Sequence, residues 1–178
     1  LQFPLIEFAP PETWEPLDQA IERLETYRWV IFTSANGVEA FFLRLRVLRQ
    51  DARRLGVAKI CAIGPATAEA LERHSVIPDV VPKEFMAEGI VEAFKHHDLR
   101  EVRILLPRAE VARDLLPKEL EKLGATVEVV AAYRTVRADA DREMLKRLLQ
   151  DRRIDLVTFT SSSTVTAFMG LLGTEDLK

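Results

Sequence analysis

The sequence predicts an α/β protein built from β-α units on a parallel sheet, and three observations carry that expectation. Apolar runs of four to six residues alternate with amphipathic stretches of helical period, the pattern of strands buried on both faces with helices packed over them. Short polar tetrads follow the carboxyl ends of these runs and open the next helix. A twelve-residue block recurs further along the chain, so the design is a duplicated one.

Taken in order, the first amphipathic stretch places Leu17, Ala20, Ile21 and Leu24 at i, i+3, i+4 and i+7, with Pro16 in the first turn, where its missing N–H leaves no hydrogen bond unmade. Trp29–Thr33 and Lys59–Ile63 read as buried strands, and Asp79–Val81, Val102–Leu106, Val127–Ala131 and Leu156–Thr160 follow them. Ala112, Leu115, Leu116, Leu120 and Leu123 mark a helix face, closed by Gly124 where a C-terminal cap belongs.

Composition narrows the function. Of 178 residues 30% are charged, with 25 Lys and Arg against 28 Asp and Glu, so the net charge is −3 and no basic field points to nucleic acid. The longest apolar stretches, such as Val127–Tyr133, fall far short of the roughly 20 residues a membrane helix needs, so no membrane partner is expected. A single cysteine, Cys61, excludes an internal disulfide and fits a reducing cytoplasm. Of three histidines, His96 and His97 are neighbours and point about 100° apart on a helix, which argues against a shared metal. G-x-G-x-x-G, P-loop and G-x-S-x-G motifs are all missing. Arg44, Arg46, Arg49, Arg53 and Arg54 read as a solvated face, Cys61 as a core residue and His74 as the close of a helix.

The repeat sets the domain plan. Val30–Phe41 and Val157–Phe168 agree at Val, Phe, Thr, Ser, Val, Ala and Phe in one register, each residue 127 positions from its partner. The same offset pairs Leu5-Ile6-Glu7 with Ala132-Tyr133-Arg134. The expectation is a complete α/β domain over 9–130, an inter-domain β link made of Pro4–Phe8 and Ala131–Thr135, and a partial second domain over 138–178. The remainder of the twin is expected beyond both ends. The fold class is therefore two similar parallel-sheet domains, flavodoxin-like or Rossmann-like, joined by a two-stranded link.

In open α/β sheets ligands bind beyond the carboxyl ends of strands, where free N–H groups and helix dipoles favour anions. The tetrads supply the substrate-binding candidates Thr33, Ser34, Asn36, Gly64, Pro65, Thr67, Arg108, Ser161, Ser162 and Ser163. Helix capping explains any one tetrad better than a ligand does, and several tetrads on one sheet edge shift the balance modestly toward an anionic ligand. A nucleophilic serine finds no support, since Ser161–Ser163 have no histidine in the visible second repeat. Arg108 is expected at a helix start, where it opposes the dipole: a ligand carboxylate would explain it, and so would simple exposure. Tyr133 lies in the proposed link with a hydroxyl able to donate or accept, and reads either as a site residue or as a half-buried strand aromatic.

These residues resemble the uroporphyrinogen-III synthase family. The matching stretches are Phe32–Phe41, Ile63–Ala68, Ala87-Glu88-Gly89, Leu105–Ala109, Ala132–Thr135 and Thr158–Val165. The resemblance implies two α/β domains with substrate in the cleft between them. It implies conversion of hydroxymethylbilane to uroporphyrinogen III with inversion of the last pyrrole ring and loss of water, a spiro-pyrrolenine being the usual intermediate, with no metal or organic cofactor. By position it carries over Ser34, Thr67, Tyr133 and Ser161, with Tyr133 as the catalytic candidate. It further implies a monomer that receives its small-molecule substrate from hydroxymethylbilane synthase. The family's first strand with its Thr-Arg element and its second Gly-Pro-x-Thr block have no match here. A non-catalytic two-domain binding module for a small organic anion is the alternative, and fold alone does not separate the two.

Overall fold

The computed structural model describes residues 3–159 and 161–172. Among them the elements run β1 (Ile6–Ala9), α1 (Glu15–Glu22), β2 (Trp29–Phe32), α2 (Ala35–Val47), β3 (Lys59–Ala62), α3 (Pro65–Arg73), α4 (Ala87–Phe94), β4 (Arg103–Ala109), α5 (Leu115–Lys122), β5 (Thr126–Arg137), α6 (Arg142–Gln150) and α7 (Ser162–Leu172). The five strands lie in the order β1-β5-β4-β2-β3. β2 pairs with β3 and β4, and β4 with β5, in parallel. The chain separates into two compact units, Pro10–Arg134 and Leu1–Ala9 with Thr135–Lys178. No helix among the described residues is long and apolar enough to cross a membrane.

Within Pro10–Arg134 the period-two alternation of strand side chains builds two cores. Val30, Phe32, Ile60, Ala62, Leu105 and Val130 meet Leu17 of α1, Phe41 and Leu45 of α2 and Leu71 of α3 on one face. Trp29, Ile31, Cys61, Ile104 and Leu106 meet Ile90 and Phe94 of α4 and Leu116 and Leu120 of α5 on the other. Both faces are covered, which is why β2 is apolar at every position and buried throughout. Each such large side chain contributes about 1.5 to 3 kcal/mol on burial.

Helix ends follow the sequence signals. Pro16 stands in the first turn of α1. After α5, Gly124 has φ +100°, its N–H bonds the Glu121 carbonyl at 2.9 Å, and the Ala125 N–H bonds the Leu120 carbonyl at 3.2 Å. That paired 5→2 and 6→1 closure is a Schellman cap, and only a residue without Cβ adopts its turn freely.

Three expectations are corrected. Asp79–Val81 makes one isolated bridge, Cys61 to Val80, and no strand, because Pro78 and Pro82 flank it and Pro82 has no N–H to extend a ladder. Residues 156–159 are not a strand: among the described residues nothing pairs with them, and Leu156 is 80% exposed. Thr160 lies outside the described residues. The tetrad Pro107–Glu110 does not open a helix, since Pro107, Arg108 and Ala109 belong to β4.

The chain order of the strands creates a switch point between β2 and β4. The helix after β2 packs on one face and the helix after β4 on the other. The β2–β4 register ends at Val30 and Leu105, whereas β4 stays paired with β5 as far as Ala109 and Tyr133. Pro107, which has no N–H, adds no bond to the β2 ladder, and the strand ends at this switch point are where α/β proteins bind ligands.

Candidate functional site

Ser34 and Tyr133 come together at this switch point. Ser34 is extended (φ −163°, ψ 153°) and caps α2, its Oγ accepting the Gly37 N–H at 3.0 Å. The Tyr133 hydroxyl lies 3.0 Å from the same Oγ, and either oxygen can donate. The two residues are 99 positions apart in sequence.

A β-bulge delivers Tyr133 there. Arg108 pairs with Ala131 but Ala109 pairs with Tyr133, so Ala132 is an extra residue on β5. Strict alternation from Val130 and Ala132, which face the α1–α3 core, would send Tyr133 to the opposite face. With the bulge, Tyr133 is half-buried and packs against the α1–α3 core as well. It thereby reaches over the end of β4 to the first turn of α2.

Gly37 completes the junction. A Cβ there would stand 3.3 Å from the Pro107 carbonyl oxygen, 3.3 Å from Ser34 Oγ and 3.9 Å from Tyr133 Cε1. Gly37 was not among the residues expected in the site. The available signal was a glycine in the first turn of a helix, where propensity disfavours it.

The other candidates distribute as follows. Thr33 and Asn36 are half-buried on either side of Ser34 and Ala35. Gly64 occupies the cap position of α3 with Pro65 following, and Thr67 sits in that first turn at 3% exposure, its N–H bonding the Gly64 carbonyl at 3.1 Å. Phe32 and Ala62 are register partners. Ser34 and Gly64, each two residues further on, therefore start helices at neighbouring strand ends.

Arg108 is placed differently from expectation. It lies in β4 and not at a helix start, is 9% exposed, and gives Nη1 to the Arg113 carbonyl at 2.8 Å and Nη2 to Asp114 Oδ1 at 2.6 Å. Hydrogen bonding and charge from Arg108 hold the Asp114 carboxyl below its ordinary range. Arg108 Nε is buried without a hydrogen-bond partner among the described residues. The ion pair turns Arg108 toward α5, on the sheet face opposite Tyr133. Asp114 was not anticipated, because the extension of β4 through Pro107 was not. Arg44 also departs from a solvated face: it pairs with Asp18 through Nε at 2.6 Å and Nη2 at 2.5 Å and lies over Trp14 at 5.0 Å.

The repeat reproduces the cap in the second unit. Ser161 Oγ accepts the Thr164 N–H at 3.3 Å, as Ser34 Oγ accepts that of Gly37. Phe32 and Phe41 meet edge to face at 5.4 Å and 77°, and their equivalents Phe159 and Phe168 meet at 5.2 Å and 70°. Ser161 is exposed, and the side chains of Ser162 and Ser163 lie outside the described residues. That unit also holds a cavity of about 620 Å³ with a mixed lining, Leu145, Phe159 and Phe168 beside Arg153, Asp155 and Thr164, and none of the candidate site residues lines it.

Cys61 is fully buried and burial pushes its thiol up to about 12, so it stays a neutral core residue. His74 stacks on Phe42 at 4.2 Å with Nε2 3.0 Å from Glu39. No group of three or more His, Cys, Asp or Glu among the described residues is arranged to hold a metal ion.

Comparison with known proteins identifies the family and the fold. The family model "Uroporphyrinogen-III synthase HemD" matches residues 1–178. A uroporphyrinogen-III synthase of Synechococcus elongatus is 34% identical over 173 residues, covering 97% of this chain and 65% of that protein. A putative uroporphyrinogen-III synthase of Methanothermobacter thermautotrophicus is 34% identical over 173 residues, covering 96% and 67%. The chain thus spans about two thirds of the length of these relatives. A crystal structure of a mutant uroporphyrinogen III synthase from the extremely thermophilic bacterium Thermus thermophilus superposes with a TM-score of 0.68 at 21% identity, covering 100% of this chain and 71% of that one. The uroporphyrinogen-III synthetase of Helicobacter pylori superposes with a TM-score of 0.58 at 21% identity, covering 95% and 70%. At that identity the structural likeness establishes the fold.

Proposed function

The chain belongs to the uroporphyrinogen-III synthase family, and from that premise we propose that it closes linear hydroxymethylbilane into uroporphyrinogen III, inverting the last pyrrole ring and releasing water, in tetrapyrrole biosynthesis. The observation that carries this reading to particular residues is the Tyr133 hydroxyl at the switch point, 3.0 Å from Ser34 Oγ. Expelling the substrate hydroxyl as water calls for a proton donor, and the phenol is one within the crevice where a ligand binds.

The acetate and propionate groups of the substrate suit the free N–H groups at the starts of α2 and α3. Thr33, Ser34, Asn36, Gly64, Pro65 and Thr67 line those two starts in this reading, and Ser161, Ser162 and Ser163 join them through the repeat. Arg108, already held by Asp114, is the weakest member of the set. Unassisted closure yields the symmetric isomer, so the protein's task is to hold the substrate in the fold that permits inversion. A complete domain over 9–130, the link of 4–8 and 131–135, a partial second domain over 138–178 and a cytoplasmic monomer belong to the same reading.

Tyr133→Phe tests the assignment. A general acid contributes about 10²- to 10⁴-fold, so turnover to the type III product falls by that order while the ring keeps its packing and the melting temperature stays near that of the parent. Unchanged turnover would return Tyr133 to a packing role.

A further inference from the structure

We infer that Ser34 acts on the chemistry through Tyr133, as the hydrogen-bond donor that turns the phenol's own proton away from α2 and toward the leaving group. The inference rests on the reading of Tyr133 as the acid and adds a positioning residue to it.

The direction of the hydrogen bonds follows from what each atom is able to do. The Gly37 N–H only donates, and it ends on Ser34 Oγ at 3.0 Å. Ser34 has one hydroxyl proton, and Tyr133 Oη is 3.0 Å from that oxygen. An N–H received from the positive end of α2 polarises the serine O–H toward donating. The order Gly37 N–H to Ser34 Oγ–H to Tyr133 Oη is the one in which both bonds reinforce each other. In the reverse order Ser34 accepts twice and the phenol proton is tied up on it. The bulge at Ala132 serves this arrangement, because without it Tyr133 faces the α4–α5 side and cannot reach Ser34.

In the step this supports, the proton passes from Tyr133 Oη to the hydroxyl of the substrate's hydroxymethyl group. The carbon–oxygen bond breaks, the pyrrole nitrogen's electron pair forms the double bond that replaces it, and water leaves. Ser34 O–H and the α2 terminus stabilise the phenolate that remains. The proton later lost from pyrrole carbon as the macrocycle closes restores the phenol.

The test holds capping constant and reverses the donor. Asp ranks with Ser as a helix cap, so Ser34→Asp keeps the Gly37 N–H satisfied but offers Tyr133 an acceptor only. In the full-length protein, Ser34→Asp is expected to lower kcat for type III product about tenfold or more, beyond any rise in KM that its added charge brings at the α2 start. Ser34→Thr, which keeps both hydrogen bonds, recovers most of the rate. In a Tyr133→Phe background, Ser34→Asp causes no further loss, because the two residues act as one unit. Full additivity of the two losses, or a loss confined to KM, would overturn the inference and leave Ser34 a substrate contact alone.

A readout independent of turnover is the carbon-13 shift of tyrosine Cζ at neutral pH, with Tyr133 and Tyr27 as the two tyrosines of residues 1–178. Ser34→Asp moves the Tyr133 signal and leaves that of Tyr27 in place. An unmoved Tyr133 signal overturns the inference on its own. Should the parent protein form only the symmetric isomer, the enzymatic reading fails, and the Cζ shift still decides the hydrogen-bond order.

Discussion

Gly37→Ala puts the junction of Ser34, Pro107 and Tyr133 under direct strain. Two opposing terms decide its effect on stability. Alanine in a helix is favoured over glycine by about 0.5 to 1 kcal/mol. Against that, the new methyl meets the Pro107 carbonyl oxygen and Ser34 Oγ at 3.3 Å each. The first of these cannot give, since Pro107 is fixed in β4 in register with Val130. The second gives only by weakening the cap bond to the Gly37 N–H, at 3.0 Å. Overpacking of this kind costs about 1 to 3 kcal/mol, so the net loss is about 1 kcal/mol. For a unit of this size that lowers the melting temperature by about 4 °C. Urea denaturation of parent and variant measures the difference. The shift of Ser34 also lengthens its contact with Tyr133, so turnover falls further than stability. A variant as stable as the parent, or more so, with full turnover would refute the packing argument at its centre.

Two further outcomes test other parts of the structure. Arg108→Gln removes the donors to the Arg113 carbonyl and Asp114 from a side chain only 9% exposed, so stability falls by about 1 to 3 kcal/mol, with little change in KM; a raised KM and an unchanged melting curve would make Arg108 a substrate contact first and overturn its place as a weak member of the set. Alkaline pH destabilises the fold through two groups whose neutral forms it favours: burial, then the hydrogen bond to Glu128 Oε2 at 2.6 Å, pushes Tyr27 up to about 12 from 10.0, and burial alone pushes Cys61 up to about 12 from 9.0. Both folded values exceed the unfolded ones, so the stabilisation is complete below about pH 9 and is lost as pH rises toward about 12; a urea midpoint that stays level from pH 8 to 11.5 would contradict it.

The sequence made the fold legible where one local signal decided the outcome. Pro16, Gly124 and the run Trp29–Phe32 each act within their own element, and each element formed close to its expected bounds. Legibility failed where a neighbour decides. Residues 156–159 have the same apolar character as β2, yet a strand exists only against a partner. β4 runs through Pro107 because its ladder to β5 continues there, which no reading of Pro107 alone reveals. In the site, Ser34 and Tyr133 were visible as a strand-end hydroxyl and a strand aromatic. Their contact was not, because it depends on a one-residue bulge, and shifting a strand by one residue sends every later side chain to the other face. Arg108 was misplaced for the same reason, its partner Asp114 becoming apparent only when the strand's length is known.

The most direct test of the central claim is the isomer formed from hydroxymethylbilane. The full-length protein is incubated with freshly generated hydroxymethylbilane, the products are oxidised to porphyrins, and the type I and type III isomers are resolved chromatographically. The account predicts rapid formation of type III, with a rate that collapses in Tyr133→Phe toward the uncatalysed, symmetric closure. Type I alone, appearing at the same rate with or without the protein, would contradict it.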